Sequence, residues 1–291
     1  MMLTVFTPTF NRADLLPRVY KSLLAQMYTD FEWIIVDDGS TDETPQLVAL
    51  WLAEQKISIR YYKQVNGGKH RAINKGVSEA NGTLFFIVDS DDYLPKGALA
   101  TVVEKYQTAK QKHTIIGVAG RRMFDDGAVV GSNNFNELVC NSLDIRYKYK
   151  VAGDLVEVFE TDILRQFPFP EIDHEKFCPE ALVWNRIAQK HNLYFFNQGI
   201  YTTAYIAGGL TANSVEIRMK APLAAMVCYA ELASYQIPFV QKIRATINFW
   251  RFAFCSKTSF FDKVKKVNFI FSILGLPLGY GMYLNDLKNN K

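Results

Sequence analysis

Short apolar runs that end in polar clusters alternate with stretches of helical periodicity along the first part of the chain. The apolar runs lie at residues 3–6, 31–36, 57–63 and 85–88, and their length and composition predict β-strands. Between them, apolar residues recur three or four positions apart, which is the period of an amphipathic helix. Strands that alternate with helices form a parallel sheet covered on both faces. The sequence therefore predicts an α/β fold.

The run at residues 85–88 leads directly into Asp89, Ser90, Asp91 and Asp92. A short and continuously apolar run predicts a buried parallel strand, so the acids lie at its carboxyl end, where open α/β sheets bind ligands. Three like charges within four residues repel one another. They favour a hard divalent cation such as Mg²⁺ or Mn²⁺, which prefers oxygen ligands. The alternative is a turn that only caps the next helix, predicted over residues 97–109.

Polar clusters also follow the two preceding strands. Asp37 and Asp38 come after the second strand, and Lys69 comes after the third. If these strand ends share one edge of the sheet with Asp89 and Asp91, they form one cleft. In such a cleft, acids would bind a metal and a nucleobase or ribose hydroxyl, and the lysine would bind phosphate. The sequence has neither a Gly-x-Gly-x-x-Gly motif after the first strand nor a Walker lysine loop, which argues against dinucleotide and P-loop folds.

The middle of the chain is less regular. Residues 115–120 and 153–159 predict strands, residues 161–166 predict a helix, and the polar stretch 125–150 predicts an irregular loop region. A further helix begins near Glu180 and carries Trp184. Carboxylates are favourable in a first helical turn for purely structural reasons, so capping is an alternative role for Glu180.

Composition and charge narrow the class of protein. Of the 291 residues 49% are apolar, enough for a large core, and the four cysteines are too far apart for a zinc or disulfide framework. The start of the chain predicts no signal peptide, so reduced cysteines in the cytosol are expected. From Glu216 onward 11 Lys and Arg face 4 Asp and Glu, whereas the rest is slightly acidic. We therefore expect an anionic partner for the tail and no nucleic acid.

The basic tail is also rich in aromatic residues. Residues 242–266 interleave Phe and Trp with Lys and Arg, and residues 267–285 contain no charge over 19 positions. That length approaches the ~20 residues of a membrane span, but Pro277 and three glycines interrupt it. The pattern favours a helical segment lying on an anionic membrane surface. Packing on the body of the protein and a true span are the alternatives. The predicted domains are residues 1–214 and 215–291.

Several motifs occur in order along the predicted domain. They are the segments Thr7-Pro8-Thr9-Phe10-Asn11-Arg12, Val36-Asp37-Asp38-Gly39-Ser40-Thr41-Asp42 and Val88-Asp89-Ser90-Asp91-Asp92, followed by Pro179-Glu180 four residues before Trp184. Together they resemble glycosyltransferase family 2 over roughly residues 3–210. The resemblance implies a GT-A fold, a Rossmann-like and mostly parallel sheet, followed here by a helical C-terminal extension. It also implies an inverting enzyme that uses a nucleotide-sugar donor.

The resemblance also implies roles for individual residues. Asp89 and Asp91 match the metal motif that binds the ribose and diphosphate, with Ser90 between them, and Asp38 matches the nucleobase contact. Glu180 stands where the family places its catalytic base, in a Pro-Glu pair instead of the family's Glu-Asp pair, with Glu171 and Glu175 as alternatives. The remaining implied donor contacts are Thr7, Pro8, Asn11, Arg12 and Lys69.

The sequence thus predicts a metal-dependent inverting glycosyltransferase. A UDP-sugar is the expected donor, and a saccharide or lipid-linked saccharide of surface polysaccharide assembly is the expected acceptor. The expected location is cytoplasmic, on the inner face of the plasma membrane. One alternative is a sugar-nucleotide nucleotidyltransferase, which should carry a Gly-rich phosphate loop that residues 7–12 lack. The other is a non-catalytic, membrane-tethered sugar-nucleotide-binding protein, against which the presence of Asp91 and Glu180 argues.

Overall fold

The computed structural model describes residues 2–131, 135–203 and 214–289. They form two compact units, one of residues 2–168 and 190–203 and one of residues 169–189 and 214–289. Residues 169–189 thus cluster with the C-terminal helices, although the sequence places the domain boundary between residues 214 and 215. Residues 204–213 precede that boundary and include Leu210, where the family resemblance ends; they lie outside the described residues.

The first unit is built on one mixed sheet. Its strands among the described residues are β1 (Leu3–Thr9), β2 (Phe31–Asp37), β3 (Ile59–Lys63), β4 (Leu84–Ile87), β5 (Gly117–Met123), β6 (Leu138–Cys140), β7 (Leu155–Glu160) and β8 (Leu193–Thr202). They lie in the order β3-β2-β1-β4-β7-β5-β8-β6. The first four are mutually parallel, as is the β5–β8 pair, whereas β7 is antiparallel to β4 and β5, and β6 to β8. The predicted α/β fold is confirmed.

Helices connect these strands, and apart from α5 they lie where the sequence predicts them. Those of the first unit are α1 (Leu16–Leu24), α2 (Thr44–Glu54), α3 (Lys69–Glu79), α4 (Ala98–Lys110), α5 (Ser142–Tyr147) and α6 (Thr161–Gln166). Helix α1 buries Tyr20, whose ring stacks on Trp33 of β2 and Trp51 of α2, with centroids 6.1 and 4.4 Å away. Such aromatic contacts add to the free energy of burial and fix the helices against the sheet.

The chain reverses its direction across the sheet beside β1. From β1 it proceeds outward to β2 and β3, and it then returns to β4 on the other side of β1. Parallel α/β sheets bind ligands in the crevice at such a switch point, beyond the carboxyl ends of the strands. The Val88 amide donates to the Phe6 carbonyl over 2.8 Å, so the chain leaves β4 held against β1. Asp89, the next residue, therefore lies at the edge of the crevice.

The stretch predicted as irregular contains regular structure. Within residues 125–150, of which 132–134 lie outside the described residues, the chain forms β6 and α5. The Asn141 side chain caps α5 by accepting from the Leu143 and Asp144 amides. This Asn-Ser start is a local signal that the polar composition of the stretch obscured. Strand β8, which the sequence interpretation omitted, borders β5 and β6.

The second unit is helical. It contains α7 (Glu180–Ala188), α8 (Ser214–Lys220), α9 (Pro222–Ser234), α10 (Phe239–Ala253), α11 (Phe260–Val264) and α12 (Phe269–Asn289). Arg186 of α7 donates to both carboxylate oxygens of Glu231 on α9, over 2.8 and 2.7 Å. Arg251 of α10 makes the same two-fold contact with Asp286 of α12, over 2.5 and 2.6 Å. The predicted helical extension is confirmed.

Glycines that interrupt the uncharged run form the contact between α10 and α12. A Cβ atom on Gly279 would lie 2.7 Å from the Ile247 carbonyl oxygen, and one on Gly275 would lie 2.7 Å from the Thr246 methyl carbon. The backbones approach this closely only because these positions have no side chain. Across the same contact, Trp250 Nε1 donates to Ser272 Oγ over 3.1 Å. Nowhere in the described part of the chain is a helix both long and apolar enough to cross a bilayer.

Candidate functional site

The loop after β1 is joined to the loop after β2. Asn11 adopts a positive φ of 51°, a conformation that Asn tolerates better than most residues. Its amide donates to Ser40 Oγ over 2.9 Å, and its Oδ1 accepts from the Thr41 amide over 2.8 Å. Half-buried Arg12 follows, with its amide 3.4 Å from Thr44 Oγ1. The two loops therefore form one framework at the carboxyl edge of the sheet.

Two residues of the same predicted motif lie inside the sheet. Thr7 and Pro8 are buried within β1, because the strand extends to Thr9. The Thr7 hydroxyl accepts from Trp33 Nε1 over 3.0 Å in the core. Their side chains therefore serve the packing of the sheet, and their assignment as donor contacts stays a prediction.

Asp38 organises the loop that leads to Lys69. Its carboxylate is buried and accepts from the Gly67 amide at 2.8 Å, the Gly68 amide at 2.7 Å and Gln64 Nε2 at 2.8 Å. A carboxylate has about four acceptor positions, so most of the capacity of Asp38 is used within the protein. The side chain fixes the start of α3, where Lys69 is the first residue. The assignment of Asp38 as the nucleobase contact stays a prediction.

Asp89 is paired with Lys69. The Lys69 ammonium nitrogen lies 2.5 Å from Asp89 Oδ1, which joins the polar ends of β3 and β4 as the sequence predicts. Burial would raise the pKa of the Asp89 carboxyl, but the positive charges of Lys69 and Arg122 outweigh it and hold that pKa below its ordinary value. Asp89 is therefore an ionised carboxylate held between two cations.

Asp91 and Asp92 differ in their surroundings. Asp92 is buried and accepts from Thr203 Oγ1 over 2.8 Å, and burial, with the negative charge of Asp89, raises its pKa to about 6. Asp91 is half-buried, and within the described residues its carboxylate makes neither a hydrogen bond nor an ion pair. Ser90 between the metal-motif acids is buried. Asp91 is thus the acid of the cluster that is available to a ligand.

The sequence interpretation missed three residues around these acids. Arg122 of β5 lies 3.6 Å from Asp92, and its guanidinium carbon is 4.5 Å from the ring centroid of Tyr201 on β8. The Tyr201 hydroxyl accepts from the Asp89 amide over 2.9 Å, and Thr203 follows β8. The available signal was the unusual pair of arginines inside the apolar pattern of β5. Of the two, Arg122 lies at the cluster, beside Tyr201 of the paired strand β8.

The predicted base lies in the second unit. Glu180 is the first residue of α7, is half-buried, and follows Pro179 as the helix N-cap. Glu175, an alternative base, is buried and accepts from the amides of Leu223 and Ala224 at the first turn of α9, over 2.7 and 2.8 Å. That carboxylate therefore stabilises a helix start, whereas the other alternative, Glu171, is exposed.

The carboxylate oxygens of the acid cluster suit a hard cation that takes its remaining ligands from a bound molecule. No group of three or more His, Cys, Asp or Glu side chains within the described ranges is arranged to hold a metal by itself. Mg²⁺ and Mn²⁺ in nucleotide sites commonly use one or two carboxylates and take their other oxygens from phosphates and water. Asp89 and Asp91 fit this pattern. The chemistry of the residues thus agrees with a metal that is shared with a diphosphate.

Comparison with known proteins gives a consistent set of similarities. The model of the family "Glycosyl transferase family 2" matches residues 4–160. "Glycosyltransferase GlyG" of Streptococcus pneumoniae is 30% identical over 230 residues, which cover 74% of this chain and 75% of that protein.

A second relative is the "GalNAc(5)-diNAcBac-PP-undecaprenol beta-1,3-glucosyltransferase" of Campylobacter jejuni, 29% identical over 202 residues and 66% of this chain. The chain covers 61% of that relative's length, which is less than two thirds. Among solved structures, S. aureus TarS 1-349 in complex with UDP-GlcNAc superimposes with a TM-score of 0.68 at 18% identity, over 98% of this chain and 89% of that one. This likeness concerns the fold.

Proposed function

This chain belongs to glycosyltransferase family 2, and on that premise we propose that it transfers a sugar from a nucleoside-diphosphate sugar to a saccharide acceptor. The family resemblance found in the motifs is thereby confirmed, whereas the donor, the acceptor and the roles of single residues belong to the proposal. UDP is the proposed nucleotide, because the TarS structure with a similar fold holds UDP-GlcNAc.

One observation carries the proposal: Lys69 follows β3, Asp89 and Asp91 follow β4, and the ion pair of Lys69 with Asp89 brings the two segments together at the carboxyl edge of the parallel strands. A lysine and two carboxylates at this edge are the groups that a metal-bound diphosphate requires. A bound Mg²⁺ or Mn²⁺ would stabilise the negative charge that develops on the leaving diphosphate. Asp89 and Asp91 would hold the ion, Lys69 would bind a phosphate oxygen, and Asn11 and Arg12 would border the nucleotide.

We propose that the reaction inverts the configuration of the anomeric carbon. Glu180 accepts the proton of the attacking acceptor hydroxyl, so the new bond forms as the bond to the diphosphate breaks. Such a displacement requires a base and a stabilised leaving group and no covalent enzyme intermediate. The proposed acceptor is a saccharide or a lipid-linked saccharide of surface polysaccharide assembly. The name of the Campylobacter relative, with its undecaprenol-linked substrate, supports the lipid-linked class.

Ligand-dependent thermal stability tests the donor. We expect UDP and UDP-sugars, in the presence of Mn²⁺, to raise the melting temperature, because a ligand that binds only the folded state stabilises it by about 2.7 kcal/mol at 100 times its Kd. GDP and CDP serve as matched controls for the base. Release of UDP from a UDP-sugar upon addition of acceptor supports transfer. Formation of diphosphate from UTP and a sugar phosphate would instead identify a nucleotidyltransferase.

We also propose that the C-terminal helices bind an anionic membrane, with the protein on the cytoplasmic face of the plasma membrane. Residues 215–291 form the proposed extension. Helix α12 turns Ser272, Gly275 and Gly279 toward α10, and its opposite face is apolar and exposed. The exposed large apolar residues of α11 and α12 include Phe260, Phe261, Phe269, Ile270, Ile273, Leu274 and Leu278. A solvent-exposed apolar surface of this extent marks an interaction site.

Basic residues adjoin this apolar face. Lys265 and Lys266 are exposed in the short segment between α11 and α12, and two residues separate them from Phe269 and Ile270. Cations beside exposed aromatic and aliphatic side chains match anionic headgroups above an acyl layer, which is the pattern of an interfacial segment. The charge complementarity favours an anionic bilayer as the occupant of the surface.

Surface substitutions separate the electrostatic and apolar contributions. Attraction is worth about 1 kcal/mol per Lys near an anionic surface, so Lys265→Glu with Lys266→Glu should weaken binding to anionic liposomes by at least about 30-fold at low salt. Phe269→Ser with Ile270→Ser should weaken it at low and high salt alike, because apolar burial is not screened. Sedimentation with liposomes measures both effects.

The controls are Lys112→Glu and Leu50→Ser, which change exposed residues of the first unit. Substitution is preferable to truncation before Lys242, since truncation would expose the core that Met226 forms with Phe249 and Trp250. Equal binding by all four variants, or no binding by the unaltered protein, would contradict the membrane proposal.

A further inference from the structure

Lys69 occupies an oxygen that the proposed metal needs. Its ammonium nitrogen is 2.5 Å from Asp89 Oδ1, and both side chains are partly exposed, at 29% and 26%. A second cation, Arg122, contributes a positive potential at Asp89 and Asp92. Without ligand, the acid cluster is therefore already supplied with counter-ions from its own chain.

We propose that Lys69 is a displaceable counter-ion that couples the metal to the nucleotide. In this inference, which rests on the proposed function, the ammonium group of Lys69 leaves Asp89 for the diphosphate when the donor binds, and Asp89 Oδ1 then becomes available to the divalent ion. Metal and nucleotide therefore bind cooperatively, because each favours separation of the Lys69–Asp89 ion pair, which opposes binding of the other. Neither binds tightly alone.

The charges around Asp89 explain why the metal alone binds weakly. Three carboxylates, Asp89, Asp91 and Asp92, face two cations, Lys69 and Arg122, so the cluster carries about one negative charge when all are ionised. A divalent ion entering this cluster must displace Lys69 from Oδ1 and then lies beside an unpaired ammonium group. The repulsion between this ammonium group and the divalent ion weakens the binding of the metal alone. Asp91 alone offsets little of that repulsion.

The two cations differ in their freedom to move. Arg122 lies over the Tyr201 ring, at 4.5 Å, and beside buried Asp92, so its guanidinium is fixed between β5 and β8. Lys69 is the first residue of α3 and carries a flexible four-carbon stem. Its backbone is held, because Asp38 binds the amides of Gly67 and Gly68 immediately before it. Only the end of the Lys69 side chain therefore has to move, toward the diphosphate.

Binding of Mn²⁺, measured by electron paramagnetic resonance with and without UDP, tests the inference. For the unaltered protein we expect UDP to tighten Mn²⁺ binding at least tenfold, within the 5–150-fold range of typical coupled sites. Lys69→Met removes the competing charge and keeps the apolar stem. It should tighten Mn²⁺ binding without UDP by about tenfold, from the repulsion it removes. The coupling with UDP should shrink by a similar factor.

Lys75→Met is the matched control. Lys75 lies on the same helix and pairs with Glu79 at 2.6 Å, away from Asp89, so both Mn²⁺ affinities should equal those of the unaltered protein. Lys69→Gln is a second variant that should repeat the result of Lys69→Met. By reciprocity, the effect of Mn²⁺ on UDP affinity must fall by the same factor in both Lys69 variants.

The outcomes separate this inference from the proposed function. Unchanged or weaker Mn²⁺ binding by both Lys69 variants without UDP, with coupling intact, overturns the displacement role of Lys69 and leaves glycosyl transfer standing. Absence of UDP binding by the unaltered protein, at any Mn²⁺ concentration, overturns the proposed donor. Tighter Mn²⁺ binding by the Lys69 variants supports the counter-ion role, since that measurement requires no nucleotide.

Discussion

Substitution of Glu180 by Gln should lower kcat by about 10²–10⁴-fold, the usual loss when a general base is removed. Glutamine keeps the size and the hydrogen-bonding shape of the side chain, but its amide does not accept a proton at neutral pH. The proposed donor contacts lie on other residues, so the KM for the UDP-sugar should change little. A loss confined to kcat is the mark of an interaction made in the transition state. Steady-state UDP release with acceptor measures both constants.

Glu175→Gln and Glu171→Gln are the matched controls. Glu175 accepts two amides at the start of α9, so its substitution removes a charged helix cap and should cost about 1–2 kcal/mol of stability. The kcat of the folded enzyme should persist. Glu171 is exposed, and its substitution should leave both stability and kcat near their original values. Normal turnover by Glu180→Gln would place the base on another residue.

The strands and helices around the candidate site could be predicted because their signals are local. Apolar runs such as Phe85-Phe86 are short and continuous, and turn or cap residues follow them. The hydrophobic pattern and the turn residues therefore predict the same elements. The position of Glu180 at the first turn of α7 could likewise be read from the segment around Pro179. Strand β6 and helix α5 were missed because polar residues dominate that stretch and tertiary pairing with β8 decides its conformation.

The surroundings of Asp89 could not be predicted in the same way. Tyr201, whose hydroxyl binds the Asp89 amide, lies 112 positions away along the chain. Arg122 reaches the cluster only because β5 enters the sheet between β7 and β8. A sequence pattern states which residue types are present and which element carries them. The order of strands in the sheet decides which of those residues meet, and a single sequence contains little information about that order.

Asp38 shows a second limit of sequence interpretation. A carboxylate after a strand can serve a ligand or the protein itself, and the motif is the same in both cases. The contacts of Asp38 with Gly67, Gly68 and Gln64 give it a clear task within the loop. Because Gly67 and Gly68 have no side chains, the Asp38 carboxylate can approach their backbone amides. The chain thus uses a residue of the motif proposed to contact the donor to fix the loop that precedes Lys69.

Substitution of Asp91 by Ala should abolish the dependence of UDP binding on Mn²⁺. In the described part of the chain the Asp91 carboxylate has no partner to lose, so its removal should leave the melting temperature of the ligand-free protein almost unchanged. A metal held by few protein ligands depends strongly on each of them. We expect the affinity for UDP in Mn²⁺ to fall more than about 100-fold, to the level found in EDTA, which corresponds to about 2.7 kcal/mol.

Asp89→Ala provides the sharpest contrast with Asp91→Ala. It also removes a proposed metal ligand, but it leaves Lys69 without its 2.5 Å partner and Arg122 without one of its neighbouring negative charges. Loss of a partner from a partly buried ion pair destabilises a protein. Asp89→Ala should therefore lower both metal-dependent binding and the melting temperature, whereas Asp91→Ala lowers the first alone. Isothermal titration with UDP in Mn²⁺ and in EDTA, beside thermal melts, separates the two. Equal UDP affinity of the unaltered protein in Mn²⁺ and EDTA would remove the metal from the site altogether.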